Sequence, residues 1–375
     1  SGGGPQKDGE DAHFSYGKDQ IYPGNNFDYH LIPFEKGAFA AGTAQIMPYY
    51  GIPIGQTEED VGFAYNKSII TGMLREKYNF QGVICSDWGV VSSLMLLGDE
   101  FKPAAAWGVE HLSIDQRMQK LLNAGIDQFG GENITEKLVT LVESGKVKES
   151  RLDESVRRLL LDKFKLGLFD DPYVDEEAVT DIIGSPGFIA AGIAAQRQSL
   201  VLLKNERLLN NTQKILPLGS GKKIYVENIP KALASRYGQV VDEPSQADLA
   251  IIRIEAPFYP HEGLFDSTFH SGDLDFKGKE KQRMLDLMAS IPTIVDIYLD
   301  RAAVIPEVSA ASAALVANFG STDEVLMDFL WGKFSPKGKL PFELPRSMNA
   351  VSAQMEDVPY DSENPLFKFG HGLTY

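Results

Sequence analysis

The stretch GVICSDWG, residues 82–89, decides how the rest of this sequence is read. Gly82 opens a short apolar run, Val83-Ile84-Cys85, which stops abruptly at Ser86, Asp87 and Trp88. Such a run, bounded by glycine and polar groups, fits a strand buried on both faces. In barrels of parallel strands the reactive groups sit where strands end, because loops and helix N-termini converge there while the interior is filled. Asp87 has that address. A carboxylate so placed can be a nucleophile, a general base, a metal ligand or a helix N-cap. Trp88 tips the reading toward carbohydrate, because sugars stack their C–H faces on flat rings while carboxylates hold their hydroxyls.

Outward from this stretch, residues to about Asp170 alternate short buried runs with helical patterns. Ala41–Met47 and Gly125–Phe129 read as strands like Val83–Cys85, and 67–78 and 115–124 read as helices. Met47 to Tyr50, after one strand, and Asp127, inside another, share the strand-end address. Glu154–Leu166 is the clearest helix: Val156, Leu159, Leu160 and Phe164 form one apolar stripe, with Asp153 placed to cap its start and Gly167 its end. Strand–helix alternation means parallel strands covered by helices.

Residues 171–196 read as a linker, with Pro172, an acidic stretch and Gly184-Ser185-Pro186. A second α/β block occupies 197–375. Its strands are expected at 200–203, 223–226, 249–254, 294–298 and 314–317, and helices near 230–237, 279–290 and 322–331, which fits an open, mostly parallel sheet with helices on both faces. Between Ile254 and Lys279 runs a segment without period, crowded with Phe258, Tyr259, His261, Glu262, Phe265, Phe269, His270 and Phe276. It leaves the end of a buried strand, and it reads either as a binding loop or as an aromatic flap packed on a neighbouring domain.

Composition narrows the function. The 375 residues are 43% hydrophobic and 23% charged, an ordinary globular balance with room for two domains. The net charge of −16 disfavours nucleic acid and anionic lipid as partners and leaves a neutral substrate open, although acidity also serves plain solubility. Cys85 is the single cysteine, so no intrachain disulfide and no cysteine-based metal site can form, and an inert core thiol is expected. No apolar run is long enough to span a membrane. A start at Ser1 without Met or signal peptide suggests a processed or trimmed product. Three sequons, at Asn66, Asn133 and Asn210, occur at close to chance frequency.

The six histidines show no metal-binding spacing and no calcium-loop pattern is present, so neither metal nor cofactor is expected. Gly219-Ser220-Gly221-Lys222 is too short for a P-loop, Gly2-Gly3-Gly4 has no strand before it, and no G-x-S-x-G occurs.

Gly82-Val83-Ile84-Cys85-Ser86-Asp87-Trp88 resembles the nucleophile motif of glycoside hydrolase family 3. Leu200-Val201-Leu202-Leu203-Lys204-Asn205-Glu206 with Leu216-Pro217-Leu218 resembles the opening of that family's second domain. Gly338-Lys339-Leu340-Pro341-Phe342 and Phe369-Gly370-His371-Gly372-Leu373-Thr374-Tyr375 resemble its closing motifs. Gly2-Gly3-Gly4-Pro5-Gln6 resembles the residues just after its Lys-His-Phe-Pro signature. The matches run in order from one end of the chain to the other.

The resemblance implies a TIM-type (β/α) barrel, here partial over residues 1–170, followed by an α/β/α sandwich over 197–375, and retaining exo-hydrolysis of β-linked sugars, most often glucosides. Asp87 would form the glycosyl-enzyme, with a carboxyl partner about 5–5.5 Å away. It must stay ionised, so hydrogen-bond donors are expected around it. Trp88 would wall the sugar pocket, with Met47, Tyr49 and His270 as further substrate-binding residues. Two acid/base candidates stand: Glu255, in Ile254-Glu255-Ala256-Pro257-Phe258 with Glu262 as a nearby rival, and His13 oriented by Asp11, in Asp11-Ala12-His13.

Family members carry a long further stretch before the position matching Gly2, holding the first barrel strands. A second chain or a nicked fragment is therefore expected as partner, besides a small β-glycoside or oligosaccharide substrate. The alternative is a non-catalytic carbohydrate-binding or scaffold protein. The residues do not fix a compartment; a periplasmic or secreted setting is favoured over a cytoplasmic one.

Overall fold

The structure, a computed structural model, describes residues 5–96, 98–206 and 213–375. The Gly2-Gly3-Gly4 portion of the first motif and the Asn210 sequon lie outside the described residues. The chain divides into two compact units. One comprises Ser1–Val174 with two returning segments, Glu262–Ser271 and Met355–Pro359; the other comprises Asp175–His261, Gly272–Gln354 and Tyr360–Tyr375.

In the first unit the strands are short. β1 (Asp19–Gln20) pairs in parallel with β3 (Ile52–Pro53), and β2 (Gln45–Ile46) with β4 (Val83–Ile84). Cys85 then bridges Gln128 in parallel. A hairpin of β5 (Leu94–Leu96) and β6 (Asp99–Lys102) comes after β4. Of the strand expected over 41–47 only Gln45–Ile46 forms. Residues Pro33–Ala38 wind as a π-helix, and the turn through Gly42 that closes it (φ +73) consumes the first half of the run. The strand expected over 125–129 likewise shrinks to the one bridge, because Gly125 (φ +113) ends the preceding helix in the left-handed region.

That helix, α1 (Ile114–Ala124), opens on a capping box between Ser113 and Gln116 and buries Met118, Leu121 and Leu122. It packs with Tyr65, Ile70, Ile84, Trp107 and Ile126 into the unit's core, joined by Leu141 of α2 (Thr135–Glu143). α3 spans Glu149–Lys165, so Asp153 lies inside the helix, and Lys148 takes the N-cap position. Gly167 lies just past its end with φ +71, as expected. The apolar stripe of α3 is largely unburied: Val156, Leu160 and Phe164 are 38–61% exposed and Leu159 is half-buried.

The Asn66 sequon is structural, its amide buried and donating to Thr57 and to the Glu59 carbonyl. Of the returning segments, Met355–Pro359 is clasped by the fully buried Asp357, whose carboxylate accepts the Gly24 and Asn26 N–H groups at 2.8 Å each.

The second unit opens with α4 (Val179–Ile182) and α5 (Pro186–Ser199), the latter capped by Ser185, within the stretch read as a linker. Its sheet contains β7 (Val201–Asn205), β8 (Lys223–Glu227), β9 (Gln239–Val240), β10 (Leu249–Glu255), β11 (Thr293–Tyr298) and β12 (Ala314–Asn318). They lie in the order β7-β12-β11-β10-β8-β9, all pairs parallel except β7 with β12. Successive side chains point to opposite faces. Leu202, Ile224, Ile251, Ile294 and Val316 therefore join one core, and Val201, Ile252, Val295, Ile297 and Leu315 the other. Burial on both faces is why these strands read as unbroken apolar runs. Helices α6 (Lys231–Ala234), α7 (Gly278–Ser290) and α8 (Pro306–Ala311) fall between strands and α9 (Asp323–Leu330) follows the last one; α6, α7 and α9 lie where the sequence places helices.

One carboxylate interrupts this apolar sheet. Asp296, fully buried in β11, accepts from Arg253 Nε and Asn318 Nδ2 at 2.8 Å each, while its second oxygen has no partner among the described residues. Burial pushes its pKa up to about 6, against the pull of Arg253 and Asn318. A folded-state value above the unfolded one, about 3.9, means the native state binds the extra proton between pH 4 and 6, so this group withdraws stability as pH rises through that window. Asp296→Asn is accordingly expected to gain on the wild type by about 2–3 kcal/mol between pH 4 and 6. Denaturant titrations at several pH values check this; a constant difference refutes it.

Candidate active site

Asp87 leaves β4 on a rigid base. Ser86 is fully buried, its N–H donating to the Gln128 carbonyl and its hydroxyl accepting the Gly130 N–H, both at 2.9 Å. A turn, not a helix, comes next, so Asp87 is not an N-cap. Its Oδ1 accepts the Trp88 N–H at 2.7 Å. The Trp88 indole lies over Gly130 and Gly131, where a Cβ would come within 2.8 and 2.1 Å of the ring, and the residue stays 52% exposed. Only glycine permits that approach, and Gly131 (φ +67) also needs its conformational freedom.

Tyr50 is the second element. Its residue is buried, and its hydroxyl donates to the Trp88 carbonyl at 2.7 Å. Burial first, and then Asp87, raise the phenol well above the ordinary tyrosine range. The neighbouring Tyr49 is pushed up to about 12 by burial and by the Asp11 and Asp87 carboxylates. The Cys85 thiol is raised by burial and by Asp87, which keeps it inert.

Asp11 and His13 form a dyad beside Tyr50. Asp11 Oδ1 lies 2.6 Å from His13 Nδ1 and accepts the His13 backbone N–H at 2.7 Å. Burial lifts Asp11, but the bonds from His13 outweigh it and the carboxyl sits below its usual value. With Nδ1 engaged, Nε2 is the ring atom that can take or give a proton to a ligand. The loop is fixed by Trp107, whose Nε1 donates to the Ala12 carbonyl at 2.8 Å, and by Gly17, where a Cβ would stand 2.2 Å from the Asp11 carbonyl oxygen. The returning segment Glu262–Ser271 completes this face: Phe269 and Phe265 lie 5.0 and 6.3 Å from the His13 ring, and the Tyr50 ring 4.7 Å.

Met47 is 54% exposed beyond β2, and His270 and Glu262 are exposed on the returning segment. Glu255 is exposed at the end of β10, in the second unit. Asp127, despite its strand-end address, is a structural carboxylate, held by Arg75, Arg158 and Ser155. The sequence reading missed Lys102, a buried cation at the end of β6, and gave no role to Tyr50. Only the adjacency of Tyr50 to Tyr49 after a strand hinted at it; nothing in the local pattern marks Lys102. Among the described residues no three His, Cys, Asp or Glu side chains converge as a metal site needs, and no helix is long and apolar enough to cross a membrane.

An α/β chain with a mostly parallel sheet, carrying a rigidly based carboxylate beside an exposed indole and an Asp–His dyad, has the equipment of a hydrolytic enzyme. The chain belongs to glycosyl hydrolase family 3: residues 4–161 match that family's N-terminal domain and residues 226–375 its C-terminal domain. It is 50% identical, over its whole length, to beta-glucosidase C of Emericella nidulans, and 40% identical to a periplasmic beta-glucosidase/beta-xylosidase of Dickeya chrysanthemi. It spans 60% and 59% of those two proteins. In fold it matches an exo-1,3/1,4-beta-glucanase of Pseudoalteromonas (TM-score 0.76, 22% identity, 100% of this chain and 63% of that one). A beta-glucosidase of Listeria innocua crystallised with glucose gives a TM-score of 0.71 at 21% identity, over 92% of this chain and 53% of that one.

Proposed function

We propose that this chain carries the catalytic centre of a retaining, exo-acting β-glucosidase that cleaves terminal β-linked sugars from small glycosides or oligosaccharides. The observation that carries the reading is the Asp87 carboxylate, free of any helix and accepting the Trp88 N–H beside an exposed indole. Asp87 attacks the anomeric carbon as the glycosidic bond breaks, and the leaving oxygen takes a proton from the acid/base. Water, deprotonated by that same group, then releases the sugar and restores the carboxylate. Trp88, Met47, Tyr49 and His270 border the bound sugar.

Two groups compete for the proton transfer. His13 shares a unit with Asp87 and holds Nε2 ready; Glu255 stands at a strand end in the second unit. Azide distinguishes them: it restores activity to Glu255→Ala, by entering the vacated space as a nucleophile, only if Glu255 is the donor. Rescue at His13→Ala instead assigns the role to the Asp11–His13 pair.

Catalysis further needs the polypeptide that the relatives carry beyond the share matched here, as a second chain, a bound fragment or the rest of a longer one. The exposed stripe of α3 supports this, because a face of Val156, Leu160 and Phe164 is one that a half (β/α) barrel buries against its other half. The setting is exported, periplasmic or secreted, in keeping with the name of the Dickeya relative.

The test is a 2-deoxy-2-fluoro-β-glucoside with a good leaving group, given to the intact enzyme. The fluorine slows both steps and the leaving group restores the first, so a glycosyl ester accumulates. Peptide mass spectrometry is expected to place it on Asp87. Turnover of an aryl β-glucoside with the ester elsewhere overturns the assignment, and an unreactive protein that still binds the sugar leaves the non-catalytic binding role instead.

A further inference from the structure

Trp88 is 52% exposed and Asp87 is half-buried, so neither is fixed by packing on all sides. Where they stand is inherited from the backbone of the turn that carries them. From Trp88 to Ser92 that turn is held from outside. The Tyr50 hydroxyl donates to the Trp88 carbonyl at 2.7 Å, the Ala105 N–H to the Gly89 carbonyl at 2.8 Å and the Tyr65 hydroxyl to the Val90 carbonyl at 2.6 Å. Arg117, on α1, donates to the Val91 carbonyl at 3.0 Å.

These four groups satisfy carbonyls. Two N–H groups of the turn go instead to one atom: Glu132 Oε1 accepts from Val91 at 3.1 Å and from Ser92 at 2.9 Å, while Oε2 accepts the Ser92 hydroxyl. Val91 is fully buried, so its N–H cannot turn to water if the carboxylate is removed. Bonds to a charged acceptor are also the stronger kind. The residues before Glu132 hold the other end of the same turn. Gly130 donates its N–H to Ser86 Oγ at 2.9 Å, and the Trp88 indole lies on Gly130 and Gly131. Residues 130–132 thus meet the turn before Asp87, under Trp88 and at Ser92, and Glu132 supplies the one side chain in that grip. We propose that Glu132 is a positioning residue for the reaction, acting through the Ser86–Ser92 turn to set the Asp87 carboxylate and the Trp88 face against the sugar.

The inference rests on the reading of Asp87 and Trp88 as the sugar site, and one arm of its test does not use activity, so each can fail separately. The chain has three tryptophans, and the indole N–H resonance of Trp88 is assigned by its loss in Trp88→Phe. In Glu132→Ala this resonance is expected to shift and broaden, while that of Trp107, in the core of the same unit, stays in place. In the intact enzyme kcat/KM on an aryl β-glucoside should fall by about 10²-fold, the scale of a 1 Å misplacement. Glu132→Gln keeps an oxygen for both N–H groups and an amide for the Ser92 hydroxyl, so it should restore most of the rate and the resonance. If Glu132→Ala does not fold, Glu132→Asp replaces it: the carboxylate retreats by one methylene and must move the Trp88 resonance. An unmoved Trp88 resonance overturns the proposal, and so does a displacement shared by Trp107, which marks general loosening. A moved resonance with unchanged kcat/KM overturns the role in the reaction, whereas a wild type without activity condemns the reading of the site instead.

Discussion

Asp87→Asn in the intact enzyme is expected to lower kcat on an aryl β-glucoside by at least about 10⁴-fold, with little change in how tightly the sugar is held. The amide is nearly isosteric and can still accept the Trp88 N–H through its oxygen, so the turn after β4 survives. On the proposed mechanism, what disappears is the electron pair that forms the glycosyl ester and the negative charge that faces the oxocarbenium-like transition state. Both operate in the transition state and hardly in the ground state, so the loss falls on kcat. A factor of 10⁴ corresponds to about 5.5 kcal/mol of barrier. Equal rates for variant and wild type would end the enzymatic reading of this site and leave a carbohydrate-binding one. Thermal unfolding of the same variant guards against a trivial loss, because a surface-facing turn residue should move stability by less than about 1 kcal/mol.

The part of this site that sequence made legible is the part whose signal is local. Val83-Ile84-Cys85 breaks into Ser86-Asp87-Trp88 within six residues, and a buried strand followed by polar groups can be read without knowing any distant partner. Asp11 and His13, two apart, are equally local. In the second unit β10, β11 and β12 are buried on both faces, so their apolar runs announce them, and the expected strands at 249–254, 294–298 and 314–317 lie within them, whereas the two-residue β9, with Gln239 exposed, carries no such run. In the first unit the parallel strands reduce to two residues each, and turns through Gly42 and Gly125 use up apolar residues that read as strand. Tyr50 and Lys102 were illegible for another reason: a buried cation over an aromatic ring depends on residues 52 apart in sequence meeting in space. The aromatic run between Ile254 and Lys279 was visible as unusual. That Phe265 and Phe269 join the unit of His13 follows from tertiary packing alone.

The largest effect on stability is expected at a carboxylate that does no chemistry. Asp127→Ala should destabilise the first unit by about 3–5 kcal/mol, because it leaves buried charge unpaired. The Asp127 side chain is fully buried. Its Oδ2 accepts from Arg75 at 2.6 Å and from the Ile84 N–H at 3.0 Å; its Oδ1 accepts from Arg158 at 2.7 Å and from the Ser155 hydroxyl at 2.9 Å. A third guanidinium, Arg151, stands 4.0 Å away. Burial and the neighbouring Arg158 and Arg151 hold Arg75 below its ordinary value, with Asp127 opposing them. Without the carboxylate three cations face one another with no anion between them. The exposed pair Lys137–Asp115 provides the contrast: Asp115→Ala should cost less than about 1 kcal/mol, since water and salt replace what is lost. The damage at Asp127 should also reach the active site. Arg75 donates to the carbonyls of Phe80 and Gly82 at 2.7 Å each, and Asp127 itself holds the Ile84 N–H, so this cluster fixes the strand on whose end Asp87 rides. Urea denaturation measures the first effect. A cost near that of the surface pair would mean that the arginines find water as readily as Lys137 does, and that β4 is anchored by its apolar side chains instead.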